Sequence, residues 1–267
     1  MQPNPIITLT TDFGVKDPFV GIMKGIMLNI TPSVNIVDIT HNISPQNIME
    51  AAITIGMSFD YFPHKTIHVV VVDPGVGSIR RPIIVLTDYY CFIGPDNGVF
   101  SQIYNIEHEI LMVTHITSEH YFLKKSSTFH GRNIFAPVAA WLSKGIDIVK
   151  FGDLITDYIS IPIPSTTVSE RNIIEGEVIY IDHFGNAITN IKTQKIEDLY
   201  GNNPQGRLKV IAKGKEMPVK NHYSEAEGKG LYSLINSFDC LELFVYRGSA
   251  SSDFGITIGE KVSVVFA

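Results

Sequence analysis

The chain has 267 residues, is 45% hydrophobic and 18% charged, and carries a formal net charge of −6. That balance predicts a soluble globular protein, long enough for one large domain or two smaller ones. It argues against a general nucleic-acid surface, which needs a basic excess or stripe. No run of about 18 apolar residues predicts a membrane span. The opening Met1-Gln2-Pro3-Asn4-Pro5 has neither a basic region nor a cleavage pattern. The two cysteines, Cys91 and Cys240, lie in apolar strand-like runs and suit a reducing compartment, so a cytoplasmic location is expected.

Ile6 to Thr10 is a short, mostly β-branched run and predicts a buried strand. Asp17-Pro18 suits an N-cap followed by proline in the first helical turn. Phe19, Ile22, Met23, Ile26 and Met27 then repeat at helical spacing. Val34 to Ile39 predicts the next strand. Ser44-Pro45 suits the cap of a second helix, with Ile48, Ala52, Ile55 and Phe59 on one face. His68 to Val72 predicts a third strand. Strand–helix–strand–helix–strand implies parallel pairing. Ile134 to Leu142 predicts a later helix, stopped near Gly145.

Ser160 to Asn172 is rich in Pro, Ser and Thr and is expected to be a linker. Beyond it the predicted strands are short: 177–181, 207–212, 216–219, 241–246 and 261–266. A hairpin turn is expected around Gly214. The expected organisation is an α/β domain with a parallel sheet over residues 1–165, then a smaller all-β barrel or sandwich over 166–267.

Asp12 follows the first predicted strand in "TLTTDFG", and Asp73 follows the third in "VVVVDPG". Ligands of open parallel α/β sheets bind beyond the carboxyl ends of strands, so both acids point to one rim. Each also suits a plain turn. Arg80 lies seven residues after Asp73, and a glycine-rich turn between them permits a carboxylate–guanidinium contact or merely a surface ion pair. His130, in "STFHGRN", stands before a predicted helix, either presented to a cleft or bonded to backbone. No spacing suggests zinc, and neither a P-loop nor a dinucleotide fingerprint is present. In the second half, "YIDHFGNAITNI" sets Asp182, His183, Phe184 and Asn186 in a turn. "NSFDCLELFVYRGSAS" places Glu242 inside a hydrophobic strand, where the plain alternative to a functional role is an acid that faces solvent.

Seven stretches, in order and across nearly the whole chain, resemble the S-adenosylmethionine hydroxide adenosyltransferases, relatives of the fluorinases. They are "TLTTDFGVKDPFVGIMKG", "IVDITHNISP", "HVVVVDPGVGSIRRPI", "FIGPDNGVFS", "STFHGRNIFAPVAA" and the two motifs just quoted. The resemblance implies hydrolysis of S-adenosyl-L-methionine to adenosine and L-methionine, with no cofactor and no metal. It implies an Asp73–Arg80–His130 catalytic triad and a ribose contact at Asp12. It further implies adenosine contacts at Asn186, Ser237, Glu242 and the backbone of Phe244, and a contact from Asp182 to the methionine amine. It implies a homotrimer with substrate between the first domain of one subunit and the second domain of its neighbour. Contacts at Arg247–Ser249 depart from the relatives' pattern. Three alternatives compete. Halide transfer is disfavoured because Pro82 to Gly94 has no room for the fluorinase loop, and Val76 and Gly131 stand where hydroxyl side chains would be. The others are a non-catalytic adenosine or S-adenosylmethionine sensor and a metal-dependent hydrolase.

Overall fold

The computed structural model describes residues 4–107, 109–123, 128–201 and 208–266. The chain divides into two compact units, Met1–Ile163 and Pro164–Ala267. Among the described residues, no helix is long and apolar enough to cross a membrane.

The first unit holds seven strands: β1 (Ile6–Thr11), β2 (Asn35–Thr40), β3 (Ile67–Val71), β4 (Pro82–Thr87), β5 (Cys91–Pro95), β6 (Ile110–Ile116) and β7 (Gly152–Leu154). They form one sheet in the order β2-β1-β3-β5-β4-β6-β7. β2, β1, β3 and β5 pair in parallel, as alternation with helices requires. β4, β6 and β7 extend the sheet with antiparallel pairings. Its helices are α1 (Phe19–Ile30), α2 (Ile48–Gly56), α3 (Ser101–Ile106) and α4 (Ala136–Ser143).

The centre of this sheet is buried on both faces, which explains why β3 reads as an unbroken apolar run. Val69 and Val71 pack with Leu9, Met23, Met27 and Phe135. Val70 and the following Val72 pack with Ala51, Ile55, Phe92 and Phe100. The period of two sends alternate side chains into two separate cores.

Three local expectations change. Asp17 does not cap α1, because Pro18 itself occupies the cap position and no side chain bonds the first turn. Nor does Ser44 cap α2. Asn47 does, its Oδ1 accepting from Glu50 N at 3.1 Å while its Nδ2 donates to Glu50 Oε2 at 3.1 Å. The helix expected from Ile134 begins earlier, as a π-turn over Gly131–Phe135 that runs into α4.

The second unit contains β8 (Thr167–Val168), β9 (Ile174–Ile181), β10 (Ala187–Lys192), β11 (Leu208–Ala212), β12 (Lys215–Lys220), β13 (Leu231–Ile235), β14 (Cys240–Val245) and β15 (Lys261–Phe266). The order β10-β14-β13-β12-β11-β15-β9 closes through a β9–β10 pairing, giving a seven-stranded barrel with β8 appended to β9. Closure leaves the ring without edges. Leu241, Leu243 and Val245 of β14 join Ile174, Val178, Val262 and Val264 in its core. The Gly214 hairpin forms as expected: Lys213 and Gly214 both have positive φ, 49° and 68°, between paired Ala212 and Lys215. Arg207, expected to start β11, lies outside the described residues. Two helices, α5 (Thr193–Tyr200) and α6 (Ala250–Phe254), were not legible in the pattern.

Candidate active site

β1 and β3 are neighbours in register, Thr11 opposite Val71. Asp12 follows Thr11 directly and Asp73 stands two residues past Val71, so both acids lie beyond the same carboxyl rim of the sheet.

The chain after Asp73 folds into consecutive tight turns. Val76 N donates to Asp73 O at 3.3 Å, Ser78 N to Gly75 O at 3.0 Å, and Arg80 N to Ser78 Oγ at 3.2 Å. Gly77 takes φ 79°. A β-carbon on Gly75 would come within 3.3 Å of Arg80 Cγ, so the glycine keeps room for the arginine. These turns bring Arg80 back onto the acid. Its Nε donates to Asp73 Oδ1 at 2.8 Å and its Nη2 to Asp73 Oδ2, a bidentate fork. The pair is not a surface one: the Arg80 and Asp73 side chains are only 8% and 5% exposed.

The same Nη2 lies 2.9 Å from His130 Nδ1. A guanidinium has only donors, so Nδ1 must accept, and the ring proton sits on Nε2. Burial holds the imidazole below its ordinary pKa, and Arg80 adds to the effect against the opposing pull of Asp73. Histidine is therefore neutral here at neutral pH. His130 reaches this position because the π-turn starts at Gly131, where a β-carbon would strike the Phe129 ring. The guanidinium also lies 5.3 Å from the centre of the Phe135 ring. Arg80 Nη1 is buried and has no protein partner among the described residues.

Asp12 is partly buried and accepts from Gln46 N at 2.8 Å through Oδ2. The loop carrying it is pinned from behind. Phe13 N donates to Thr11 Oγ1 at 3.2 Å, Thr11 Oγ1 meets His41 Nδ1 at 2.9 Å, and Gly14 N donates to His41 O at 2.7 Å.

In the second unit, Asp182 organises its own turn. Its Oδ1 accepts from Phe184 N (2.9 Å) and Asn186 N (2.8 Å), and its Oδ2 accepts from Asn186 Nδ2 at 3.0 Å. Gly185, φ 83°, allows both the turn and the close approach of Ser249. These residues open onto a cavity of about 700 Å³ also lined by Tyr223 and Arg247.

For Glu242 the plain alternative of a solvent-facing acid does not hold: it is 2% exposed. It does point off the barrel core, as period two demands, but the chain before β13 covers it. Tyr223 OH donates to Glu242 Oε1 at 2.8 Å and Asn236 Nδ2 to Oε2 at 3.1 Å. Burial pushes the carboxyl up despite both hydrogen bonds, which pull the other way. The Tyr223 phenol is raised too, by burial and then by Glu242. Phe244, two residues on, is fully buried, with its ring edge-on to Tyr223 at 4.9 Å. Ser237 lies in the turn into β14, where Asn236 Oδ1 accepts from Phe238 N and Cys240 N. Tyr223 and Asn236 were missed from sequence. Asn236 stood in a quoted motif, but Tyr223 lies in "NHYSEAEG", which has no periodicity to flag it.

An α/β unit carries a carboxylate–guanidinium–imidazole cluster at its strand rim, and it is followed by a β-barrel unit with a cavity lined by Asp182, Asn186 and Arg247. The chain belongs to the SAM hydroxide adenosyltransferase family, matching its N-terminal domain over residues 7–152 and its C-terminal domain over 176–263. It is 34% identical to the "(R)-S-adenosyl-L-methionine hydrolase" of Methanocaldococcus jannaschii, covering 98% of this chain and 96% of that one. A crystal structure of an uncharacterized conserved protein from Thermotoga maritima superposes with a TM-score of 0.90 at 32% identity, covering 97% of this chain and 99% of the other. A protein named "Fluorinase" from Actinopolyspora mzabensis is more distant, at 27% identity over 97% of this chain and 96% of its own.

Proposed function

We propose that this protein hydrolyses S-adenosyl-L-methionine to adenosine and L-methionine, with Asp73, Arg80 and His130 acting on the attacking water. Water oxygen bonds to ribose C5′, the C5′–S bond breaks with its electron pair going to sulfur, and one proton is released. The sulfonium leaves as a neutral thioether and needs no acid. The nucleophile is the difficulty. Free hydroxide at pH 7 costs about (15.7 − 7) × 1.36, or about 12 kcal/mol.

The observation that carries the reading is the state of Arg80. Its Nε and Nη2 are committed to Asp73 and His130, while Nη1 is buried without a protein partner among the described residues. A desolvated cationic donor of this kind stabilises hydroxide character on a water it holds. His130, accepting through Nδ1 and protonated on Nε2, has no basic nitrogen to spare. Asp73 retains lone pairs beyond those used by Arg80, so it takes the proton as the bond to C5′ forms. General-base assistance typically contributes a factor of about 10² to 10⁴.

Asp12 binds the ribose hydroxyls in this reading, its free acceptor capacity lying at the strand rim beside Gln46. Asp182 takes the methionine amine. Asn186, Ser237, Glu242 and the Phe244 backbone contact adenosine. The assembly is a homotrimer in which neighbouring chains complete each site. Hydrolysis is favoured over halide transfer by the higher identity to the relative named as a hydrolase than to the one named as a fluorinase.

The test is turnover of S-adenosyl-L-methionine in ¹⁸O-water followed by mass analysis. Label is expected in adenosine and absent from methionine. Label in neither product, or a haloadenosine formed with halide, overturns the reading.

A further inference from the structure

The motif Gly94-Pro95-Asp96-Asn97-Gly98 has no role in the reaction above, yet both of its polar residues reach the loop that carries Asp73 and Arg80. That loop leaves the sheet after β3 and returns at β4. On the outgoing side, Asn97 Nδ2 donates at 2.9 Å to the carbonyl of Val72, the residue before Asp73. On the returning side, Asp96 N donates to the carbonyl of Arg81, the residue after Arg80, at 2.8 Å. The Asp96 carboxylate, its side chain 1% exposed, accepts through Oδ2 from Arg81 Nε at 2.9 Å and Nη2 at 2.7 Å. Two consecutive residues thus hold both ends of the loop.

Between its two ends the loop is held by its own turns and by the Asp73–Arg80 fork with His130. Val76 is 40% exposed and Ile79 fully exposed, so no apolar anchor buries its tip. Gly75 and Gly77 loosen its backbone. The clamp, by contrast, is fastened on its far side: Asp96 Oδ1 accepts from Ile159 N at 2.7 Å, and Asn97 Oδ1 from Val99 N at 3.2 Å. Arg81 also reaches Asp157 at 2.7 Å, but that carboxylate is 78% exposed. The two adjacent arginines therefore divide the work. Arg80 turns to the acid at the rim, and Arg81 turns back to the clamp.

We propose that Asp96 and Asn97 are positioning residues that act through Val72 and Arg81 to hold the Asp73–Arg80 fork in its working geometry; the kinetic part of this rests on the hydrolysis reading. A misplacement of about 1 Å in a reacting constellation costs about 10²-fold in rate. Asn97→Asp keeps the shape but sets a carboxylate oxygen against the Val72 carbonyl. It is expected to lower kcat about 100-fold with KM within threefold. Arg81→Lys, which loses the fork to Asp96 while keeping the charge, serves as the second variant should Asn97→Asp fail to fold, and the same split is expected. Asp157→Asn is expected to leave kcat within twofold.

A readout that needs no turnover is the Arg80 Nε–H resonance in nuclear magnetic resonance. It is expected to exchange with solvent at least tenfold faster in either clamp variant. Unchanged exchange, or kcat within threefold of wild type in both variants, overturns the clamp. Asp73→Asn is measured alongside. If it turns over at the wild-type rate, the role of Asp73 in the hydrolysis reading falls, and the exchange measurement still decides the clamp.

Discussion

Asp73 and Glu242 are both buried carboxylates in this family member, and they are held in opposite ways. In the first unit the acid stands past the end of a strand and meets a permanent cation, Arg80, with both oxygens engaged. In the second the acid sits inside β14 and meets only neutral donors, Tyr223 and Asn236. A cation beside a buried carboxylate offsets the loss of hydration; two neutral hydrogen bonds offset less of it, and burial prevails at Glu242. The first arrangement suits a group that must act on charge, the second a group that must hold a neutral partner in a fixed place.

The sharpest way to break this division of labour is complementation. The proposed contacts divide between the units, and the proposed trimer takes the two sets from different chains. Asp73→Ala and Asn186→Ala chains are each expected to be inactive, and activity is expected to appear when subunits of the two exchange. Mixed trimers, confirmed by native mass analysis, that stay inactive would remove the shared site.

One buried group in each unit should also respond to acid with opposite signs. His68, on β3, is fully buried among Phe59, Phe62, Tyr90 and Phe92, and burial holds its pKa at about 3 instead of 6.5. Above pH 6.5 it is neutral in both folded and unfolded chains. Below that the unfolded chain takes up a proton that the fold refuses, so stability falls as pH drops from 6.5 toward 3. The full loss is about (6.5 − 3) × 1.36, or about 5 kcal/mol. Glu242 runs the other way. Its raised pKa means the fold retains a proton the unfolded chain gives up, so its contribution is present below about 4.5 and lost as pH rises through the folded value. The only tryptophan, Trp141, lies in α4 of the first unit and reports its unfolding. Tryptophan-detected stability is expected to drop on acidification, and His68→Phe to flatten the drop. An acid response that is identical in wild type and His68→Phe would reject this assignment.

Arg80→Lys keeps the charge but loses the fork and the second donor shared with His130. A fall of about 10³ in kcat, about 4 kcal/mol at 1.36 per tenfold, is expected in single-turnover assays. A loss under tenfold would mean that charge alone suffices at the first unit's acid.

The smallest effect belongs to the second unit. Tyr223→Phe leaves Glu242 Oε1 buried without its donor and is expected to cost about 1 to 3 kcal/mol of stability in chemical denaturation. Adenosine affinity measured by calorimetry should weaken with it. Unchanged stability and affinity together would show that Glu242 is not held as its geometry indicates.

Much of the first unit was legible because its chemistry is local. Strand, acid, glycine turn and arginine follow one another within ten residues, so a contact between Arg80 and Asp73 could be read as an option, and the structure decides for the buried fork over a surface pair. The alternation of apolar runs with helical periods likewise announced β1, β2 and β3 as parallel strands, but neither their order nor the parallel β5. The antiparallel strands β4, β6 and β7 carried no such alternation, and helix starts at Pro18 and Asn47 depended on single dihedral angles that residue type does not dictate.

The second unit was less legible for a physical reason. A strand pattern shows which side chains alternate, and it correctly turned Glu242 away from Leu241 and Leu243. Whether the other face meets water depends on a covering segment distant in sequence, and only the tertiary fold lays Tyr223 over Glu242. Closure of the barrel is of the same kind, since it rests on a β9–β10 pairing rather than on any residue. So it is with Asp96 and Asn97. By itself the sequence showed "FIGPDNGVFS" only as a stretch shared with a family, and only the packing of β5 beside β3 and β4 brings it against both ends of the loop between them. Short-range turns and periodicities are written in consecutive residues, whereas burial and buried hydrogen bonds are set by whichever distant segment arrives to exclude the water.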